Sequence, residues 1–204
     1  MADKSPPIAL VALAVFALLC GVGLSWWMQH ETPYATQTAT RWPATSALKA
    51  FSLTDHHGQA FNLKRLQTRW TLFFFGYTHC PDICPSTLAM LNAVTQQLEG
   101  THASNQLQIV FVSVDPARDT VAVLKPYIDY FNPAFIGVTG TPAAITQLTQ
   151  QFSLPVVRLG EGEDYQVDHS STLILTSPEA RQYAIFSSPH DALKIAQDLI
   201  GLIQ

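Results

Sequence analysis

Residues 70–77 read WTLFFFGY, and this aromatic and aliphatic run ends just ahead of two cysteines, Cys80 and Cys84. An apolar run of that length bounded by turn residues is a buried strand. The segment that follows, residues 86–98, places Leu88, Leu91, Val94, Thr95 and Leu98 on one helical stripe. The thiol pair therefore lies where a strand hands over to a helix N-terminus. Backbone N–H groups at a helix start stabilise negative charge and lower thiol pKa values. Four residues apart at the head of a helix, two sulfurs can face one side and share one ion.

The remaining pattern is that of one α/β domain. Residues 107–114 form a second near-continuous apolar strand, of the kind buried on both faces of a parallel sheet. Residues 51–55 and 59–62 read as two short strands around the turn His56, His57, Gly58. The turn from Asp115 through Pro116 and Arg118 to Thr120, taken as scaffold, leads into a helix over 121–130. A short strand at 135–138 precedes a helix opened by Thr141 and Pro142, with proline at the first helical position. Residues 171–176 and 182–187 form a hairpin, and Asp191 caps a last helix. This order predicts a thioredoxin-like α/β fold with an N-terminal β-hairpin extension.

Ahead of the domain, residues 8–28 are apolar apart from glycines and Ser25, long enough to cross a bilayer at about 1.5 Å per residue. Trp26 and Trp27 close the stretch, as at a membrane–water interface. Lys4 precedes it and no Lys or Arg follows before Arg41, which orients the N-terminus to the cytoplasm. The run exceeds a signal-peptide core and no Ala-x-Ala site follows, so an uncleaved anchor is expected. Leu19 is too bulky for lipoprotein processing at Cys20, which reads as a small apolar residue of the membrane helix. The expected organisation is a cytoplasmic segment 1–7, a transmembrane anchor 8–28, a Thr-, Ala- and Pro-rich linker 29–46 and a soluble domain 47–204. The expected location is a bacterial inner membrane, crossed once, with the domain in the periplasm.

The formal net charge is −4 and no Lys/Arg-rich run occurs, which excludes nucleic acid as a partner. Two cysteines are too few for a disulfide scaffold, and a four-residue loop gains little from closure. A redox or metal-binding pair is the reading left. Two thiols need a third donor for most metals, and seven histidines are available. His30 lies at the membrane edge, His56 and His57 in a turn where solvated surface is expected, and His102 in a polar loop. His190 belongs to a helix N-terminus. His79 is adjacent to Cys80 and points away from it, where it could tune thiol acidity. His169 stands immediately before a strand whose entering loop packs beside the thiols in a thioredoxin-like sheet, so it is the candidate ligand.

Three blocks in order, 75–85 (FGYTHCPDICP), 113–120 (SVDPARDT) and 167–171 (VDHSS), resemble the Sco/SenC family. That family consists of membrane-anchored, thioredoxin-fold copper-binding proteins that assist assembly of cytochrome c oxidase. The resemblance covers about residues 51–203 and implies copper ligands at Cys80, Cys84 and His169. Three residues separate the thiols, where thioredoxins have two, and Asp168, His169 and Ser170 occupy the loop of the thioredoxin cis-proline. Both departures favour metal binding over general dithiol exchange.

Cu(I) is soft and prefers thiolates, and Cu(II) tolerates two thiolates and a histidine with a weak further donor. Asp82 and Asp168 are near enough in sequence to supply that donor or to orient a ligand, although Asp82 also suits a helix N-terminus. The expected function is a copper metallochaperone, not primarily an enzyme, that delivers one copper to the dinuclear site of cytochrome c oxidase subunit II. Another periplasmic copper donor and a thiol reductant are its further expected partners. The alternative is a thiol–disulfide oxidoreductase that reduces the cysteines of that subunit through Cys80 and Cys84. A peroxiredoxin-like peroxidase would want one low-pKa thiol beside an arginine, and the tandem thiols argue against it.

Overall fold

The computed structural model describes residues 8–29, 34–42, 44–162 and 164–203. The chain divides into two compact units, Met1–Ala35 and Thr36–Gln204. In the first, α1 (Ile8–Gln29) is a single 22-residue helix. Side chains are described for residues 9–25 of it, about 25 Å of helix at ~1.5 Å per residue. Among the described residues no helix is long and apolar enough to cross a membrane. The expected cytoplasmic segment 1–7, residues 30–33 of the expected linker and the side chains of Trp26 and Trp27 lie outside the described residues.

The second unit runs β1 (Ala39–Arg41), β2 (Ser52–Asp55), β3 (Ala60–Asn62), α2 (Leu63–Leu66), β4 (Trp70–Gly76), α3 (Ile83–Leu98), α4 (His102–Gln106), β5 (Leu107–Ser113) and α5 (Val121–Phe131). It continues through β6 (Ile136–Thr139), α6 (Pro142–Gln151), β7 (Val156–Leu159), β8 (Gln166–His169), β9 (Leu173–Thr176), β10 (Gln182–Phe186) and α7 (Ala192–Leu202). Eight strands form one sheet in the order β1-β10-β9-β4-β5-β6-β2-β3. Its centre, β4–β5–β6, is parallel, and β9 and β2 flank it antiparallel. The two apolar runs of the sequence are adjacent there, with Phe74 opposite Phe111. Leu72, Phe73, Phe74, Val110, Phe111 and Val112 are fully buried, which is why these strands carry no polar alternation. Around the sheet α3 packs against α7 and α5. Thr120, Thr141 and Asp191 cap their helices by accepting from the backbone N–H three residues on.

Three expectations change. Residues 37–41, expected within a linker, belong to the folded unit: β1 pairs with β10, and the buried Asp198 of α7 accepts from the N–H groups of Gln37, Thr38 and Ala39 at 2.7–2.9 Å. His56 is not solvated surface. It is 2% exposed, and its Nδ1 accepts from the Gly137 N–H at 3.1 Å. The turn folds its first histidine inward against β6 and leaves His57 exposed. Finally, β7 and β8 form a separate two-stranded ribbon outside the main sheet. Four-residue strands that are half exposed leave little periodicity to read.

Candidate metal centre

The site is built at the carboxyl end of β4. Its last residue, Gly76, lies so close to Cys84 that an added Cβ would stand 2.7 Å from Cys84 Sγ and 2.8 Å from Phe111 Cε2. Glycine is therefore what lets the Cys84 sulfur tuck against the strand. A tight turn follows, closed by the Cys80 N–H to the Tyr77 carbonyl at 3.2 Å, and α3 opens with Asp82 at its N-cap. Cys84 is fully buried and Cys80 is 8% exposed; neither is in a disulfide.

The turn is held from behind by a residue the sequence reading did not single out. Asp119, fully buried, accepts from the Thr78 N–H at 2.9 Å, the Thr78 hydroxyl at 2.6 Å and the Ser113 hydroxyl at 2.6 Å. Its own position is set by the turn after β5, where the Asp119 N–H donates to the Asp115 carbonyl at 2.9 Å. The signal available was the carboxylate itself: an acid six residues beyond a buried serine, at the end of an apolar strand, needs several donors.

His169 ends β8, paired with Val156 of β7. Its Nδ1 donates to the Val167 carbonyl at 2.8 Å, which puts the ring proton there and leaves Nε2 with its lone pair free. Nε2 stands 3.5 Å from Cys84 Sγ, and the Tyr77 ring meets the imidazole edge to face with centroids 5.5 Å apart. Cys80 lines the same cleft as His169, and its nearness to Cys84 adds to the rise of the Cys84 pKa. Among the described residues, no three His, Cys, Asp or Glu side chains are drawn around one point as closely as bound ligands are. Of the expected triad, Cys84 pairs with His169 at 3.5 Å, Cys80 lies at the cleft beside them, and an ion would have to draw the set together.

The helix start does not make Cys84 acidic, contrary to the expectation for a thiol in that position. Burial pushes the Cys84 thiol well above its ordinary range, against the lowering effect of the Tyr77 N–H, and the neighbouring Cys80 and Asp119 add to the rise. Desolvation outweighs the backbone dipoles because the sulfur lies beneath the helix end, against β4. A soft cation that binds this sulfur must displace a proton.

An open cleft of ≈ 290 Å³ leads in from solvent, lined by Tyr77, Cys80, Asp82, Ile83, Asp168 and His169 among others. Asp82 and Asp168 are both exposed at this rim. The Asp82 carboxylate accepts from the Ser86 hydroxyl at 3.3 Å. The imidazole's second nitrogen is held by the Val167 carbonyl, so neither of these acids orients it. His79 points outward, 53% exposed and 3.8 Å from Asp119. His190 donates through Nε2 to the Ser171 carbonyl at 2.8 Å, and His102 starts the short α4.

A thioredoxin-like α/β domain with two buried thiols and an accessible imidazole over a helix start is the class that fold and site define. The SCO1/SenC family pattern matches residues 40–204, and the chain belongs to that family. The mitochondrial SCO2 homologue of Bos taurus is 36% identical over 151 residues, which cover 73% of this chain and 57% of that protein. The chain thus spans little more than half the length of that relative. The structure of Arabidopsis thaliana ScoI with copper bound superposes with a TM-score of 0.71 at 34% identity, over 76% of this chain and 96% of that one. Bradyrhizobium japonicum ScoI, also with copper bound, gives a TM-score of 0.68 at 33% identity over 76% and 98%.

Proposed function

We propose that this protein is a membrane-anchored copper metallochaperone. It holds one copper through Cys80, Cys84 and His169 and delivers it to the dinuclear site of cytochrome c oxidase subunit II. The observation that carries the reading is the approach of His169 Nε2 to Cys84 Sγ at 3.5 Å, with the lone pair freed by the Nδ1 bond to Val167. Two sulfurs and one imidazole suit Cu(I), which favours soft donors and low coordination numbers. When bound, copper supplies no bond chemistry of its own in this role; it is cargo. The chain's residues do the rest. Gly76 leaves room for the Cys84 sulfur, Asp119 holds the turn at Thr78 ahead of Cys80, Val167 fixes the imidazole, and the open cleft beside Asp82 and Asp168 admits a partner's ligands. The reading of an anchor rests on the apolar sequence of residues 8–28. The anchor would hold the domain in the periplasm, beside a copper donor and a thiol reductant.

The oxidoreductase alternative needs an attacking thiolate near neutral pH, and burial raises the Cys84 thiol away from that range, so Cys80, which lines the cleft, would have to serve. Both readings use Cys80 and Cys84, but only metal transfer uses His169. In cells carrying His169→Ala as the sole copy, oxidase assembly at low external copper should fail while Cys80 and Cys84 still form a disulfide. Normal assembly in that strain at low copper would refute copper transfer.

A further inference from the structure

The strand that carries His169 is not held by the main sheet. β7 and β8 pair only with each other in their own ribbon, and two four-residue strands alone are marginal in water. What ties the ribbon down at the residue before β8 is Tyr165. Its ring lies between two guanidinium groups, with Arg118 Cζ and Arg158 Cζ each 3.6 Å from the ring centroid. Its hydroxyl donates to Asp115 Oδ1 at 2.5 Å, and the other oxygen of that carboxylate accepts from Arg118 Nε at 2.5 Å. Asp115 is 4% exposed and Tyr165 8%, so the phenol–carboxylate bond is shielded from water. The Asp115 carbonyl also accepts from the Asp119 N–H, and Asp119 holds Thr78, two residues before Cys80. The cysteine loop and the histidine ribbon therefore meet at one buried aspartate.

We propose that Tyr165 is a latch: through Asp115 it keeps the β7–β8 ribbon closed over Cys84, and so sets how fast copper leaves the site. This rests on the copper-binding reading above. Tyr165 is a positioning residue, acting only through His169. When the ribbon opens, the imidazole withdraws and copper remains on two thiolates, from which a competing ligand removes it faster. The cations on both faces of the ring hold the phenol against solvent competition. The hydroxyl bond to a charged partner is the strong element.

The test compares the full-length chain, Tyr165→Phe, His169→Ala and the double variant, each loaded with Cu(I) without oxygen. The rate of Cu(I) transfer to an excess of a chromogenic Cu(I) chelator is followed. Phenylalanine keeps the ring between the two arginines and removes only the hydroxyl. Loss of one hydrogen bond to a charged group corresponds to release roughly tenfold faster. His169→Ala should release faster still, and adding Tyr165→Phe to it should change nothing further. In the unloaded chain, amide exchange in β7 and β8 should quicken in Tyr165→Phe while β4 and β5 stay protected. Should Tyr165→Phe fail to accumulate, Arg158→Gln carries the same comparison from the exposed face of the ring, with a smaller acceleration. Release at the wild-type rate, or an equal acceleration with and without His169, would overturn the latch. A wild-type chain that keeps no Cu(I) would instead sink the copper reading, and ribbon exchange would still report on the latch.

Discussion

Replacing Asp119 probes how the cysteine turn is held. Three donors converge on its carboxylate, the Thr78 N–H, the Thr78 hydroxyl and the Ser113 hydroxyl, all within 2.9 Å. Hydrogen bonds to a charged group contribute roughly 1.5–3 kcal/mol each. In Asp119→Ala the two hydroxyls can rotate toward other acceptors, but the Thr78 N–H cannot, and removing a buried charge returns part of its desolvation cost. The net loss should be about 3–4 kcal/mol, a large part of the ~5–15 kcal/mol that holds a typical domain together. With a urea slope of roughly 2 kcal/mol/M, the unfolding midpoint should fall by about 1.5–2 M. Asp119→Asn keeps an acceptor toward Thr78 N and Ser113 Oγ and can donate to the Thr78 hydroxyl, so it should cost about half as much. Equilibrium urea unfolding of the three chains is the assay, with alkylation of Cys80 as a local readout of the freed turn. A midpoint shift under about 0.5 M for alanine, or equal shifts for alanine and asparagine, would refute this role.

Gly76→Ala should drive a methyl group into Cys84 Sγ and Phe111, costing about 1–3 kcal/mol and weakening copper retention more than any change at the cleft rim; a variant with unchanged copper affinity would contradict the placement of Cys84. His56 gives the pH dependence. Burial first, and then His57, hold its pKa below the ordinary 6.5, so the unfolded chain binds the proton more readily, and stability should be full above about pH 6.5 and fall as pH drops below it. His56→Gln should flatten that part of the urea-midpoint profile, and an unchanged slope would exclude His56 as its source. In cells, alkylation trapping should show Cys80 and Cys84 more reduced when copper is supplied, because bound metal occupies both sulfurs; equal oxidation with and without copper would mean that it does not.

The parts of this fold that could be read from the chain are those where one residue pattern has one physical solution. Residues 70–77 and 107–114 are unbroken apolar runs, and only the centre of a parallel sheet buries both faces, which is where β4 and β5 lie. Cys80 and Cys84 were legible because a helix follows them, and His169 because a strand does. The opaque parts depend on partners far away in sequence. Asp198 looks like an ordinary helix-surface acid until the backbone of residues 37–39 folds onto it, and β1 has no pattern beyond its pairing with β10. His56 sits in a polar turn, and its burial comes from β6. The Cys84 thiol follows the same logic: the helix start argued for an acidic thiol, but the depth of the sulfur against Gly76 is a tertiary fact, and desolvation prevails. Tyr165 is invisible as a functional residue without the two arginines that enclose its ring.

The most direct measurement is an oxygen-free Cu(I) titration of the reduced full-length chain against a competing chelator, beside His169→Ala. One copper per chain should bind, since Cys20 lies in α1, Cys80 and His169 line one cleft, and the buried Cys84 Sγ stands 3.5 Å from His169 Nε2. Removing the imidazole should lower the affinity strongly while leaving the two thiols able to form a disulfide. Two tightly held coppers per chain, or an affinity unchanged by His169→Ala, would contradict a site made of Cys80, Cys84 and His169.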